Sequence, residues 1–236
     1  MARSVFGWLI LTIFLPSLIL AKRNSCHKTA TIHRWVSENG FHRSLHTSVH
    51  IPWNLTGCLI LLEEKFPSGA FVDPDAVARD KQNGINCLLA PIDIEAFEAK
   101  SQPFRVYSYS LPVISGQTEV RMNLPFHLRY HEAGPKDKEV VLVQPSLLAS
   151  CPYQPGEAVQ NCPGWSEGPA PCVYCSRELC DWTHLPYSSN ELEVSLNVPV
   201  GNSDHGGIVM VVTAFTMILA TIYLLFTIQK SAKKNR

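Results

Sequence analysis

The chain has 236 residues, with 20 Lys plus Arg against 20 Asp plus Glu, so its formal charge is zero. That balance gives no reason to expect nucleic acid or an acidic surface as a partner. The stretch between its two terminal apolar runs is one domain's worth of chain, long enough to bury a core.

Arg3 opens a short positive start, and Val5 to Leu20 is apolar apart from Gly7, Thr12, Pro16 and Ser17. With Ala21 as the cleavage position, residues 1–21 read as a signal peptide, an uncleaved anchor being the alternative. Behind it, all eight cysteines (Cys26, Cys58, Cys87, Cys151, Cys162, Cys172, Cys175 and Cys180) precede the second apolar run. They are disulfide candidates in an oxidising compartment, with no pairing fixed by their spacing. Asn54-Leu55-Thr56 is a glycosylation sequon, which a lumenal location makes usable.

Residues 22–207 then read as a β-rich lumenal domain. Phe41 to Ile51 places Phe41, Leu45, Thr47, Val49 and Ile51 on one face and His42, Ser44, His46, Ser48 and His50 on the other. Period two of this kind marks a half-buried strand. Gly57 to Leu62 is a buried apolar run, broken by Phe66-Pro67-Ser68-Gly69; Asp73-Pro74-Asp75 starts a short helix through Arg79. Ile85 to Ile94, Phe104 to Leu111, Gln117 to Leu124, His127 to His131, Glu139 to Val143 and Leu192 to Val198 follow as strands. Many short strands without long helical periods predict an all-β, antiparallel, sandwich-like or barrel domain stapled by disulfides. Pro145 to Pro186 holds seven of the seventeen prolines and five of the eight cysteines. It reads as a disulfide-stapled excursion between two strands.

Ile208 to Ile228 has no charge and no proline. As a helix it spans roughly 31 Å, the thickness of a hydrocarbon core. Residues 229–236 form a basic tail, and Lys and Arg mark the cytosolic side, which predicts a single-pass type I protein with most of the chain lumenal. Thr213, Thr216, Ala220, Tyr223 and Thr227 recur at three-four spacing and form a stripe suited to contact with another membrane helix.

No catalytic, cofactor or metal residues are assigned. His42 and His46 sit at roughly 13 Å on a strand, too far apart to share one ion. Cys172-Val173-Tyr174-Cys175 follows Pro169 and Pro171 without the strand and helix of a thioredoxin-type site, so it reads as structural disulfide cysteine. Asp73 and Asp75 read as a helix start, not a metal–sugar-nucleotide site, because no phosphate cradle accompanies them. No G-x-S-x-G, H-E-x-x-H or P-loop pattern occurs. In Pro125 to His131, a strand would put His127, Arg129 and His131 on one face and Leu128 and Tyr130 on the other. Three potential cations on one face suit a carboxylate, a phosphate or a partner's acidic loop, with an ordinary polar outer face as the alternative.

The pieces Phe71-Val72-Asp73-Pro74, Pro91-Ile92-Asp93-Ile94-Glu95-Ala96, Tyr107-Ser108 and Leu124 to Glu132, with a C-terminal membrane helix, resemble the PIG-X / Pbn1 family. The resemblance implies an accessory subunit without chemistry or cofactor of its own. That subunit would stabilise a multi-span catalytic partner of PIG-M type, which adds the first mannose, from dolichol-phosphate-mannose, in glycosylphosphatidylinositol (GPI) anchor assembly in the endoplasmic reticulum. His127, Arg129, Tyr130 and His131 would be partner-contact candidates, beside the stripe in the membrane helix. Lys233 and Lys234 resemble a dilysine retrieval signal. A single-pass receptor or adhesion ectodomain, unconnected with glycosylation, is the competing expectation.

Overall fold

The computed structural model describes residues 29–79, 84–151, 164–172, 174–191 and 193–234. The expected signal peptide, Cys26, Cys162 and Leu192 lie outside the described residues.

The described residues form thirteen strands arranged in two layers. The first layer contains β1 (Ala30–Ser37), β2 (His42–His50), β4 (Ala70–Phe71), β7 (Glu119–Leu128) and β12 (Tyr187–Ser189), in the order β12-β1-β2-β7-β4. The second is a six-stranded sheet of β3 (Leu59–Phe66), β5 (Ile85–Cys87), β6 (Phe104–Tyr109), β9 (Ser146–Ser150), β10 (Ser166–Pro171) and β11 (Leu179–His184), in the order β10-β11-β9-β3-β6-β5. A ribbon of β8 (Lys138–Val143) and β13 (Glu193–Val198) extends that layer. Among the described strands, pairing is antiparallel except between β1 and β12.

The alternation in the sequence is the alternation of burial. Leu45, Thr47 and Val49 of β2 point inward, as do Val120, Met122, Leu124, Phe126 and Leu128 of β7. One half of the core joins Ile32, Val49 and Met122 to Ile60, Leu62 and Leu147 of the opposite layer. The other half joins Leu45, Phe126 and Leu128 to Phe66, Val106, Val140 and Val198. Burying each such side chain contributes about 1.5–3 kcal/mol.

Three sequence expectations change. The Pro145 to Pro186 segment is not a loop between strands: β9, β10 and β11 lie within it, and β9 pairs with β3 in the middle of its sheet. Its prolines hid this, but Pro169 and Pro171 sit on the edge strand β10, where one side of the backbone needs no ladder partner. The region also covers the outer face of the second sheet, where Ala170 and Trp182 pack with Leu61, Tyr109 and Leu148. Trp182 Nε1 and the Tyr109 hydroxyl both donate to the Pro171 carbonyl, each at 3.1 Å.

The strand expected over Ile85 to Ile94 ends at Cys87, whose side chain is tied to Cys175. The strands expected over Gln117 to Leu124 and His127 to His131 are one strand that runs through Pro125. Leu128 N donates across to Phe41 O, so alternate residues, Pro125 among them, turn their nitrogen toward β4. β4 pairs only with His127 and Leu128, so the N–H that Pro125 lacks has no partner to lose.

Helix α1 (Pro74–Arg79) starts as expected, with Asp75 N donating to Asp73 Oδ1 at 2.9 Å. Helix α2 (Gly206–Lys234) contains the whole expected span, and its residues are solvent-exposed. It is long and apolar enough to cross a membrane. It runs on through the basic flank, so most of the expected tail is helical.

Candidate functional site

Three of the sequence-distant pieces noted above, those around Phe71, Asp93 and Arg129, meet at one corner of the first sheet, whereas Tyr107-Ser108 lies on β6 of the second. Phe71 lies opposite His127, and their rings stack at 4.8 Å between centroids. Arg129 follows β7, its amide donating to Gly69 O at 2.9 Å, and its guanidinium lies 4.9 Å from the centre of the Phe71 ring. The loop 93–97 closes over this charge. Asp93 Oδ1 accepts from Glu95 N at 3.0 Å and from Ala96 N at 3.1 Å. That turn aims two carbonyls at Arg129, whose Nη1 donates to Ala96 O and Ile94 O. Glu98 N donates to Tyr130 O at 3.0 Å and Ser68 Oγ to Glu98 Oε1 at 3.0 Å, fixing the loop's far end.

The expectation of three cations on one face does not survive. Arg129 is 3% exposed, so its charge is spent on carbonyls and a ring. His127 does share its face, beside His42 at 4.3 Å. Burial, and then the His42 ring, hold His127 below the usual imidazole range, with Asp73 opposing, so its neutral form is favoured. The strand ends at Leu128, so His131 does not join that face. Its Nδ1 bonds the Arg129 carbonyl at 2.9 Å, and its ring packs where a Cβ at Gly69 would lie 3.0 Å from Nε2. Tyr130, expected on the face of Leu128, is 74% exposed and rests at 4.8 Å against Phe41, the residue across from Leu128. Between the loop and the sheet is a cleft of about 330 Å³, walled by Phe41, Phe71, Ile94, Phe97 and Tyr130 and floored by Arg129.

A second buried charge, absent from the sequence reading, lies in the core. Arg34 Nη2 donates to Glu64 Oε2 at 2.8 Å, and Nη1 to Val143 O at 2.8 Å. The pair therefore ties β1 to β3 and β8, across both layers. Burial, only partly offset by Arg34, pushes the Glu64 carboxyl up to about 7. Period two carried the signal, since Arg34 continues Ala30 and Ile32, and Glu64 continues Ile60 and Leu62.

Six of the cysteines form the disulfides Cys58–Cys151, Cys87–Cys175 and Cys172–Cys180. The two members of the C-x-x-C thus bond elsewhere, as the structural reading expects. Asn54 is exposed, and its Oδ1 accepts from Thr56 N at 3.2 Å and from Thr56 Oγ1 at 2.6 Å. In α2, Thr216 Oγ1 donates to Thr213 O and Thr227 Oγ1 to Tyr223 O, both at 2.9 Å. Those hydroxyls are already engaged by their own helix, so the stripe with Ala220 offers small size more than hydrogen bonds. Lys233 is exposed on the last turn of α2, which Lys234 ends.

A sequence model of the family described as PIG-X / PBN1 matches residues 38–229. The mouse protein named GPI alpha-1,4-mannosyltransferase I, stabilizing subunit, is 30% identical over 201 residues, covering 82% of this chain and 78% of the relative. The human protein of that name is 30% identical over 203 residues, covering 83% and 78%. The rat protein is 29% identical over 201 residues, covering 82% and 79%.

Proposed function

The chain belongs to the PIG-X / PBN1 family, and on that premise we propose that it is the non-catalytic subunit that binds and stabilises a GPI mannosyltransferase. The observation that carries this reading is similarity over 82% of the chain to relatives named as the stabilizing subunit of that enzyme. In finer terms, the catalytic partner is a multi-span subunit of PIG-M type. It transfers the first mannose from dolichol-phosphate-mannose, and this chain holds no substrate or cofactor.

The protein resides in the endoplasmic-reticulum membrane as a single-pass type I chain. Residues 1–21 are the signal peptide, 22–207 the lumenal domain, 208–228 the span and 229–236 the cytosolic tail. Three disulfides support a lumenal β domain, and Lys230, Lys233 and Lys234 beyond the apolar run support a cytosolic C-terminal side. Lys233 and Lys234 serve as the retrieval address, and Asn54 carries an N-linked glycan. The stripe from Thr213 to Thr227 is a contact within the bilayer.

Affinity purification of the full chain from mild detergent, followed by mass spectrometry, tests the reading. The mannosyltransferase catalytic subunit is the expected co-purifying protein, and its absence contradicts the proposal. Deletion of the chain is expected to lower GPI-anchored markers at the cell surface.

A further inference from the structure

The Arg129 corner is linked directly to the approach to the membrane. Gly134 N donates to Gly201 O at 2.9 Å. Gly201 stands just before the short turn Ser203–His205 that leads into α2, and Gly134 lies four residues beyond Tyr130. Four extended residues span at most about 14 Å, so Tyr130 cannot be far from the point where the chain turns toward the bilayer. The sequon is at the other end of the sheet. His42 pairs with His127 at the corner and His50 with Glu119 at the far end, about 27 Å away along β2. Asn54 follows His50, and the exposed Leu111 and Ile114 belong to the same far end, since Gly57 N and Val113 N bond Val113 O and Cys58 O.

We propose that the rim of Tyr130, Phe41, Ile94 and Phe97, around the cleft floored by Arg129, receives an apolar side chain from a membrane-proximal lumenal loop of the catalytic subunit. This rests on the stabilising-subunit reading above and assigns that function its lumenal contact surface. A multi-span partner packed beside α2 brings its short lumenal loops to the level of this corner, not to the far end. The cleft is concave, as a receptor for a side chain must be, and its walls are aromatic, the residue class that carries most interface energy. The rim is also pre-set. Tyr130 is held by Phe41, and the 93–97 loop by Arg129 and Asp93, so docking orders little that is not already ordered. An apolar occupant follows from the lining of Phe41, Phe71, Ile94, Phe97 and Tyr130. An anion or a phosphate headgroup is disfavoured, because Arg129 is already engaged by two carbonyls and the Phe71 ring, His127 favours its neutral form, and Asp73, Asp93 and Glu95 lie close by. A glycan at Asn54 would leave this surface free.

The test places a photo-crosslinking phenylalanine analogue at Tyr130 in the full chain, and in a second copy at Ile114, with a tagged catalytic subunit in the same membranes. Crosslinking to that subunit from 130 and not from 114 is expected. Tyr130→Ala combined with Ile94→Ala should lower recovery of the catalytic subunit at least ten-fold, while Ile114→Ala leaves it unchanged. Equal crosslinking from both positions, crosslinking from 130 only to lipid or to a second copy of the chain, or full recovery with the double variant overturns the proposal. Failure of the wild-type chain to recover the catalytic subunit would instead refute the stabilising-subunit reading. Unchanged thermal unfolding of the double variant separates loss of docking from loss of fold.

Discussion

Arg34 and Arg129 are both buried, at 4% and 3% exposure, yet their surroundings differ in kind. Arg34 is answered by a carboxylate inside the sandwich, where its partners belong to two other strands of the core, β3 and β8. Arg129 is answered by carbonyls of a surface loop and by a ring, at the edge of the sheet. In neither does Nε find a hydrogen-bond partner among the described residues. The first arrangement closes the two layers on each other and presents nothing outside. The second uses a buried charge to hold a loop in place, and what that loop presents is exposed aromatic and aliphatic surface. One arginine serves the fold, the other shapes a site.

Removing one member of the core pair should have the largest effect. Glu64→Ala leaves a buried guanidinium without its counter-charge and should lower stability by about 3–5 kcal/mol in chemical denaturation. The double change Arg34→Met with Glu64→Leu should recover most of that loss. If the single variant unfolds no more easily than wild type, the core pair is not the tie it is described as.

The same pair predicts a pH dependence. The Glu64 carboxyl titrates near 7 in the folded protein against 4.5 when free, so the folded state binds the extra proton between those values. Through this group, stability should therefore fall as pH rises from about 4.5 to about 7, by on the order of 3 kcal/mol. Glu64→Gln should flatten that part of the profile. A profile unchanged by Glu64→Gln would remove the carboxyl from the account.

Arg129→Ala should have a smaller and more local effect, about 2–3 kcal/mol, because hydrogen bonds from a charged donor are lost at the edge of the sheet. Its signature is faster amide exchange at Ala96 and Glu98, with the strands of the core unchanged. Arg129→Lys should rescue only part of the loss, since an ammonium cannot reproduce the planar fork. Tyr130→Ala should be the mildest, below about 1 kcal/mol, the scale of its ring contact with Phe41. If Tyr130→Ala proved as destabilising as Arg129→Ala, the division between holding residue and presented residue would fail.

The contrast also separates what was legible in the sequence from what was not. Strands β2, β7 and β13 could be read from period two because each has one face in the core and the other polar. The long apolar helix α2 could be read from length and composition alone. The cysteine-rich region could not, because Pro169 and Pro171 look like loop residues until β10 is known to be an edge strand. Arg129 was placed on the correct face beside His127, but its burial depends on a loop some thirty residues earlier in the chain. No local pattern reports a contact of that range. The exposure of Tyr130 was not legible for the related reason that β7 stops at Leu128, where the ladder with β4 ends.

If the chain stabilises a GPI mannosyltransferase as proposed, it keeps the catalytic subunit of that enzyme intact. The most direct measurement is the half-life of that subunit in membranes of cells that lack this chain, with and without the full chain restored. A half-life shortened several-fold and recovered on restoration is the predicted result. A half-life unaffected by loss of the chain would contradict a stabilising role.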